Sequence, residues 1–281
     1  MICKVEGLGI YYEIYGEGTP VLMIHGYGID HSVMAGCMEP IFKNRPGYKR
    51  IYFDLPGMGK SEAADWLKSS DQILDIIIKF CDMIIPGNNF IVAGESYGGY
   101  LARGLVYKEP RLLDGVLLIC PVIIAEKSKR ELPPRKVFAR DEQMLAGIDP
   151  GIRKFFERML VIQDKRRWER FQQDILPGMM SRDIVFTRRL MREGYAFSFN
   201  VDRLEHPFDK PSLVLAGRQD ASVGFKDVLR IIDDYSRGTF AVLDRAGHGL
   251  EVEQEILFEC LVSEWLDRVE EERRHSPEKD S

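Results

Sequence analysis

The pentapeptide Gly94-Glu95-Ser96-Tyr97-Gly98 sets one hydroxyl between two glycines, at a point where the sequence pattern changes. Before it, Phe90 to Ala93 is a short apolar run of the kind that forms a buried strand. After it, Leu101 and Leu105 fall four apart, as on one face of a helix. A strand that becomes a helix over one residue must turn sharply, and the corner residue is driven into a sparsely populated backbone region. Glycines at 94 and 98 leave the clearance such a turn needs. The Ser96 hydroxyl would then stand clear of the sheet, beside the positive N-terminal end of the helix. That placement suits a nucleophile, yet a serine hydroxyl at neutral pH needs a base beside it. Histidine fits that role because its pKa lies near working pH. A buried carboxylate can fix its tautomer and steady the imidazolium.

With a strand before it and a helix after it, Gly-x-Ser-x-Gly resembles the nucleophile elbow of the α/β-hydrolase family. The resemblance covers residues 10–122 and 207–267. It implies a mostly parallel, twisted sheet flanked by helices, and a catalytic order of serine, then acid, then histidine. Ser96, Asp220 and His248 meet that order. Asp220 follows the apolar run Pro211 to Ala216, on the strand edge where such sheets bind ligands. His248 sits in Asp244-Arg245-Ala246-Gly247-His248-Gly249, after the run Thr239 to Leu243. Of five histidines, it alone lies in a strand-exit loop downstream of Asp220. Asp244 is the rival acid, and Arg218 and Arg245 are available to pair with either carboxylate.

The same resemblance assigns the oxyanion hole. After Val21-Leu22-Met23-Ile24 comes His25-Gly26-Tyr27-Gly28, where the family places one backbone donor. Carried over, the donors are the N–H groups of Tyr27 and Tyr97. His25 is expected to be structural, and Asp30 and His31 to lie in a solvated loop. Gly59-Lys60-Ser61 invites a phosphate-loop reading, but that loop needs glycine where Asp54 stands. The segment Asp54 to Ser61 instead resembles a structural turn of the family, Asp-x-x-Gly-x-Gly-x-Ser.

These residues need a scaffold, and the rest of the chain supplies its grammar. Ile2 to Tyr15 reads as a hairpin turning at Gly7-Leu8-Gly9. Ser69-Ser70-Asp71-Gln72 starts a helix with a capping box, and Ile73, Ile76, Ile77, Phe80 and Ile84 mark its buried face. Gly115 to Cys120 is a further strand. Alternating strands and helices force right-handed crossovers and a parallel sheet. Residues 123–206 break this pattern, with 18 Lys+Arg against 13 Asp+Glu, a net +5 that leaves −10 for the remainder. Helical spacings run through Phe155, Phe156 and Met159, then Trp168, Phe171 and Ile175. A third helix is expected from Ser181 as cap, with Ile184, Val185 and Leu190 inward and Gly194 at its end. The expected organisation is a hydrolase core at 1–122 and 207–270, with an inserted all-helical cap at 123–206. Phe225, Val228, Leu229 and Ile232 suggest a helix after Asp220. A last helix from Val252 to Val269 is expected to bury Val252, Ile256, Cys260 and Trp265, and 271–281 reads as a frayed tail.

Composition narrows the function. With 281 residues, 45% apolar and 30% charged, the chain can bury a large core and remain water-soluble. Its net charge of −5, with no basic run beside aromatics, argues against nucleic acid. Five widely spaced cysteines without a Cys-x-x-Cys pair read as free thiols of a cytoplasmic protein with no metal cluster. No stretch reads as a membrane anchor. The resemblance implies two-step acyl transfer without metal or organic cofactor, on a small-molecule substrate for which a small carboxylic ester is favoured. A proline-iminopeptidase-like aminopeptidase is an alternative, for which Glu126, Glu131 and Glu157 are available to hold an amine. Carbon–carbon bond hydrolysis and cofactor-free haloperoxidation use the same triad. A lid-closing ligand receptor with little turnover is the alternative of another class. A homodimer through an apolar cap is a further expectation.

Overall fold

The structure is a computed structural model that describes residues 1–275. Its centre is one eight-stranded sheet in the order β1-β2-β4-β3-β5-β6-β9-β10. β1 (Ile2–Val5) and β2 (Leu8–Tyr15) form an antiparallel hairpin, and β2 also runs antiparallel to β4 (Tyr48–Phe53). The hairpin turns at Glu6-Gly7, both with positive φ, one residue earlier than expected. Leu8 and Gly9 already pair with Val5 and Lys4, because a two-residue loop of this hand matches the strand twist. The remaining strands are parallel: β3 (Thr19–Ile24), β5 (Phe90–Glu95), β6 (Leu113–Ile119), β9 (Ser212–Gly217) and β10 (Gly238–Leu243). Helices cover both faces, which is why β5 and β9 are buried along their whole length and read as unbroken apolar runs.

The flanking helices are α1 (Ser32–Phe42), α2 (Ser70–Ile84), α3 (Tyr97–Lys108) and α10 (Glu255–His275). The Ser69–Gln72 capping box forms as expected, and α2 buries Ile73, Ile76, Ile77 and Phe80. A short helix, α9 (Leu250–Glu253), ends at Gln254 before α10 begins, and this break resets the buried face. Ile256 and Cys260 are therefore exposed, while Phe258, Val262, Trp265 and Val269 are buried. Helix α10 runs on to His275, so 271–275 is not a frayed end; the rest of the expected tail, 276–281, lies outside the described residues. The segment Asp227–Asp234 is a 3-10 helix. Three residues per turn put Val228 and Ile231 on the inner face and leave Leu229 and Ile232 exposed. Among the described residues, no helix is long and apolar enough to cross a membrane.

Between β6 and β9 lie α4 (Glu142–Ala146), α5 (Pro150–Met159), α6 (Lys165–Asp174), α7 (Leu176–Ser181) and α8 (Ile184–Glu193). This stretch is not purely helical: β7 (Ala139–Arg140) pairs in parallel with β8 (Ile162–Gln163). Asp141, Asp149, Asp164 and Asp183 each accept a backbone N–H at a helix start, so the sequence marks these ends with aspartate. The cap of α8 is Asp183 and not Ser181, which closes α7. Leu190 is buried as expected and Phe186 joins it, whereas Ile184 and Val185 are exposed.

Candidate active site

Ser96 stands between β5 and α3 with φ 54 and ψ −109, a conformation a side chain tolerates only when its surroundings enforce it. They do so through backbone bonds: its N–H donates to Ile119 O at 2.8 Å, and its C=O accepts from Val122 N–H at 3.0 Å. The neighbouring glycines are obligatory. A Cβ on Gly94 would lie 2.3 Å from Gly98 O, and one on Gly98 would lie 2.1 Å from Ile24 O. The turn is thus packed at van der Waals limits, with the Ser96 side chain facing the cavity above the sheet.

Asp220 follows β9 and is 1% exposed. Its Oδ1 accepts the N–H groups of Ser222 at 2.7 Å and Val223 at 3.1 Å, which fixes the carboxylate plane. Its Oδ2 lies 2.8 Å from His248 Nδ1, and His248 Nε2 lies 2.9 Å from Ser96 Oγ. Since Asp220 accepts, Nδ1 carries a proton, and once the ring is neutral Nε2 is left to accept from the serine. Burial works to raise the Asp220 pKa, but His248 and the backbone donors outweigh it and hold the carboxyl below its ordinary range. Burial likewise works to lower the His248 pKa, and Asp220, Glu95 and Glu251 together push it up to about 9.

The other candidates separate cleanly. Asp244 accepts from Gln219 Nε2 at 2.8 Å on the surface, away from the imidazole. Arg218 lies over the Phe225 ring and Arg245 over the Phe138 ring. His25 is buried; its Nε2 accepts from Leu55 N–H at 2.9 Å and its Nδ1 donates to Gly26 O at 2.7 Å. Both ring nitrogens are occupied, so this histidine holds the loop. Asp30 and His31 are not solvated as expected: each is 7% exposed. His31 bonds Asp54 through Nδ1 at 2.7 Å and through its backbone N–H at 2.9 Å. Asp54 also accepts Lys60 N–H at 2.8 Å, so the glycine-rich turn folds around a carboxylate and not around a phosphate.

Gly26 and Tyr27 line the cavity beside Ser96. Tyr97 is the first residue of α3, where a backbone N–H has no partner within the helix. The Tyr27 and Tyr97 rings meet edge to face with centroids 5.2 Å apart, which locks the two backbone segments together. The cavity encloses about 730 Å³, and Phe155, Met159 and Met191 from the inserted helices form part of its roof. Ligand atoms of Cys120, Asp220 and His248 lie within 4.8 Å of one another. Burial pushes the Cys120 thiol well above its ordinary range.

Sequence reasoning passed over two buried glutamates that touch this site. Glu95 ends β5 and places Oε1 3.6 Å from His248 Nε2. Glu253 accepts from Gly247, Val161 and Ile162 N–H groups at 2.5, 2.5 and 2.8 Å, joining the histidine loop to the inserted segment. Met159 O adds a bond from His248 N–H at 2.8 Å. Glu95 was visible as the variable position of the elbow, but no local pattern marks a glutamate that accepts across 92 residues.

Comparison with known proteins agrees with this architecture. Residues 19–255 match a family model described as "Serine aminopeptidase, S33". The chain is 25% identical over 270 residues to a pimeloyl-acyl-carrier-protein methyl ester esterase of Shewanella woodyi, covering 92% of this chain and 98% of that one. It is 32% identical to the protein of the same name from Legionella pneumophila, over 104 residues that span 38% of that protein. An α/β superfamily hydrolase from Oenococcus oeni PSU-1 superposes with a TM-score of 0.85 at 31% identity, covering 93% of this chain and 96% of the other. An esterase from Exiguobacterium antarcticum shares the fold, with a TM-score of 0.73 at 20% identity over 94% of this chain and 98% of that one. A strained serine between strand and helix, a parallel sheet and these likenesses lead to one assignment: the chain is a serine hydrolase of the α/β-hydrolase superfamily and belongs to its serine aminopeptidase family.

Proposed function

We propose that Ser96, His248 and Asp220 are the catalytic triad of an esterase acting on small carboxylic esters. The observation that carries this reading is the imidazole seated between hydroxyl and carboxylate, at 2.9 and 2.8 Å. In the proposed cycle, His248 Nε2 takes the Ser96 proton as Oγ attacks the ester carbonyl. The carbonyl electrons move onto oxygen, where the Tyr27 and Tyr97 amides donate to it. His248 then returns the proton to the departing alkoxide, leaving an acyl-enzyme and the alcohol. Water repeats the sequence, with His248 as base, and releases the acid. Asp220 stays ionised throughout and steadies the imidazolium. These steps require no metal or organic cofactor.

The substrate class rests on the cavity and on the relatives. A volume of about 730 Å³, lined by Phe155, Met159 and Met191 together with Lys127, Arg130, Arg158 and Arg192, suits a small molecule. The Shewanella and Legionella relatives are named for a methyl ester. The family description favours aminopeptidase activity as a second reading, since a peptide's free amine needs a carboxylate. The carboxylates available in the insertion are already engaged: Glu126 with Lys129, Glu131 with Lys226, and Glu157 with Arg140 and Arg153. Glu193, also at the cavity, pairs with Arg192. These solvent-accessible pairs are weak, but the cavity also carries Lys127, Arg130, Arg158 and Arg192, which disfavour a free amine and support the ester.

Labelling by a fluorophosphonate probe, abolished in Ser96→Ala, tests the nucleophile. A panel of nitrophenyl esters and aminoacyl nitroanilides then tests the bond: the esters should turn over and the anilides should not. The absence of both labelling and turnover would favour a ligand receptor.

A further inference from the structure

The elbow carries a carboxyl group that the acyl-transfer cycle does not use. Glu95 is 2% exposed, lines the cavity beside Ser96, and holds Oε1 3.6 Å from the same His248 nitrogen that faces the serine. Its Oε2 is buried without a hydrogen-bond partner. The fold makes room for it: a Cβ on Gly26 would lie 2.0 Å from Glu95 Oε2, so the loop that supplies one oxyanion donor is glycine where this carboxyl rests. An ionised carboxylate with an unpaired oxygen in such a place would be costly, whereas the neutral acid is tolerated.

Resting on the triad assigned above, we propose that Glu95 is a positioning residue of the catalytic centre that must keep its proton for Ser96 to be activated. Two consequences of ionising it lead to this. A charged Glu95 stabilises the imidazolium 3.6 Å away, so one proton moved from the acid to the imidazole leaves the total charge unchanged and removes the base. It also places a negative charge beside the cavity wall where the substrate oxygen becomes negative in the transition state. Both effects oppose turnover, and neither arises while Glu95 is neutral.

The groups facing Glu95 favour the neutral form. Asp220 approaches from the end of β9, and Glu251 from α9 with its own Oε2 buried and unpartnered. Cys37 of α1, Cys120 at the end of β6 and Tyr195 after α8 are buried nearby and add no positive charge. Arg170 and Asp174 of α6 lie beyond Glu251 and pair with each other at 2.6 Å. Among the side chains that act most on Glu95, His248 is the cation. Burial pushes Glu95 up to about 8 against the pull of His248, Glu251 and Asp220 add to the rise, and the Gly26 backbone works weakly against it.

The test is the pH dependence of kcat/KM for the full chain on a nitrophenyl ester whose turnover is lost in Ser96→Ala. Wild type should show an acid limb above the ordinary histidine range and a second, alkaline limb. In Glu95→Gln the alkaline limb should disappear, while the acid limb should not fall, because the active form already holds Glu95 uncharged when the imidazole loses its proton. Glu251→Gln should keep the alkaline limb. An alkaline limb that survives in Glu95→Gln, or one that is lost in Glu251→Gln, would overturn the proposal. So would a wild-type profile with a single limb at the ordinary histidine pKa, a result that needs no variant to fold. If no Ser96-dependent turnover exists, the triad reading and this one fall together; if it exists and Glu95→Gln does not move the profile, only the role of Glu95 falls.

Discussion

The sheet and the inserted helices hold the site in different ways. On the sheet side, backbone bonds fix the strand ends around the site: Ser96 to Ile119 and Val122, and Cys120 N–H to Leu215 O at 2.8 Å. On the helical side, a few backbone bonds (Asp183 N–H to Gly57 O at 2.9 Å, Ser70 N–H to Gly194 O at 2.8 Å and His248 N–H to Met159 O at 2.8 Å) are joined by many side-chain contacts. Arg170 donates to Gly36 O at 3.0 Å, Arg189 to Ala64 O at 3.0 Å and Leu67 O at 3.2 Å, and the Tyr27 hydroxyl to Thr187 O. Backbone ladders tolerate many side-chain changes, whereas single polar contacts of partly exposed groups are each worth little and are easily lost. The chemistry is thus built into the part of the molecule that is hardest to deform, and the shape of the cavity into the part that is easiest. Substitutions on the sheet side should therefore lower kcat, and those in the helices should mainly change KM.

The sharpest test is Ser96→Ala, expected to lower kcat by about 10⁶-fold with KM little altered, measured on the best ester of the panel. Asp220→Asn should cost roughly 10⁴-fold, because an amide no longer fixes the imidazole tautomer, while Asp244→Asn should stay within a few-fold. The reverse order would move the acid to the surface loop and break the contrast. The wild-type rate should keep climbing with pH through neutrality: His248, held up to about 9, must lose its proton to act as base. A plateau reached at about pH 7 would contradict that. Glu253→Ala leaves buried N–H groups of Gly247, Val161 and Ile162 without their acceptor. It should lower unfolding free energy by about 3 kcal/mol, read by denaturant titration. Smallest of all, Tyr27→Phe removes a hydroxyl contact to the insertion and leaves the backbone donor in place. It should raise KM a few-fold with kcat nearly constant; a large fall in kcat would mean the two regions are not separable in this way.

The same contrast explains how much could be read from the chain. The elbow was legible because its geometry demands glycine at 94 and 98, and the parallel strands because burial on both faces leaves unbroken apolar runs. Asp220 and His248 were legible as strand-end residues in a fixed order. In the helical insertion, spacing gave the helices, but their faces depend on where each begins. In the last of them the cap is Asp183, Phe186, Thr187 and Leu190 form the buried face, and Ile184 and Val185 point outward. The buried polar contacts were hidden for a different reason. His31 and Asp54 are 23 residues apart and Glu253 and Val161 are 92 apart, so neither pair leaves a local pattern. Polar residues in a loop read as solvated until their partner is placed.

The tie made by Glu253, with Met159 O bonded to His248 N–H, limits how the cavity can open. Residues 159–162 therefore cannot lift away as a door without pulling on the loop that carries His248, whereas Met191 and Tyr195, also at the cavity, lie outside that tie.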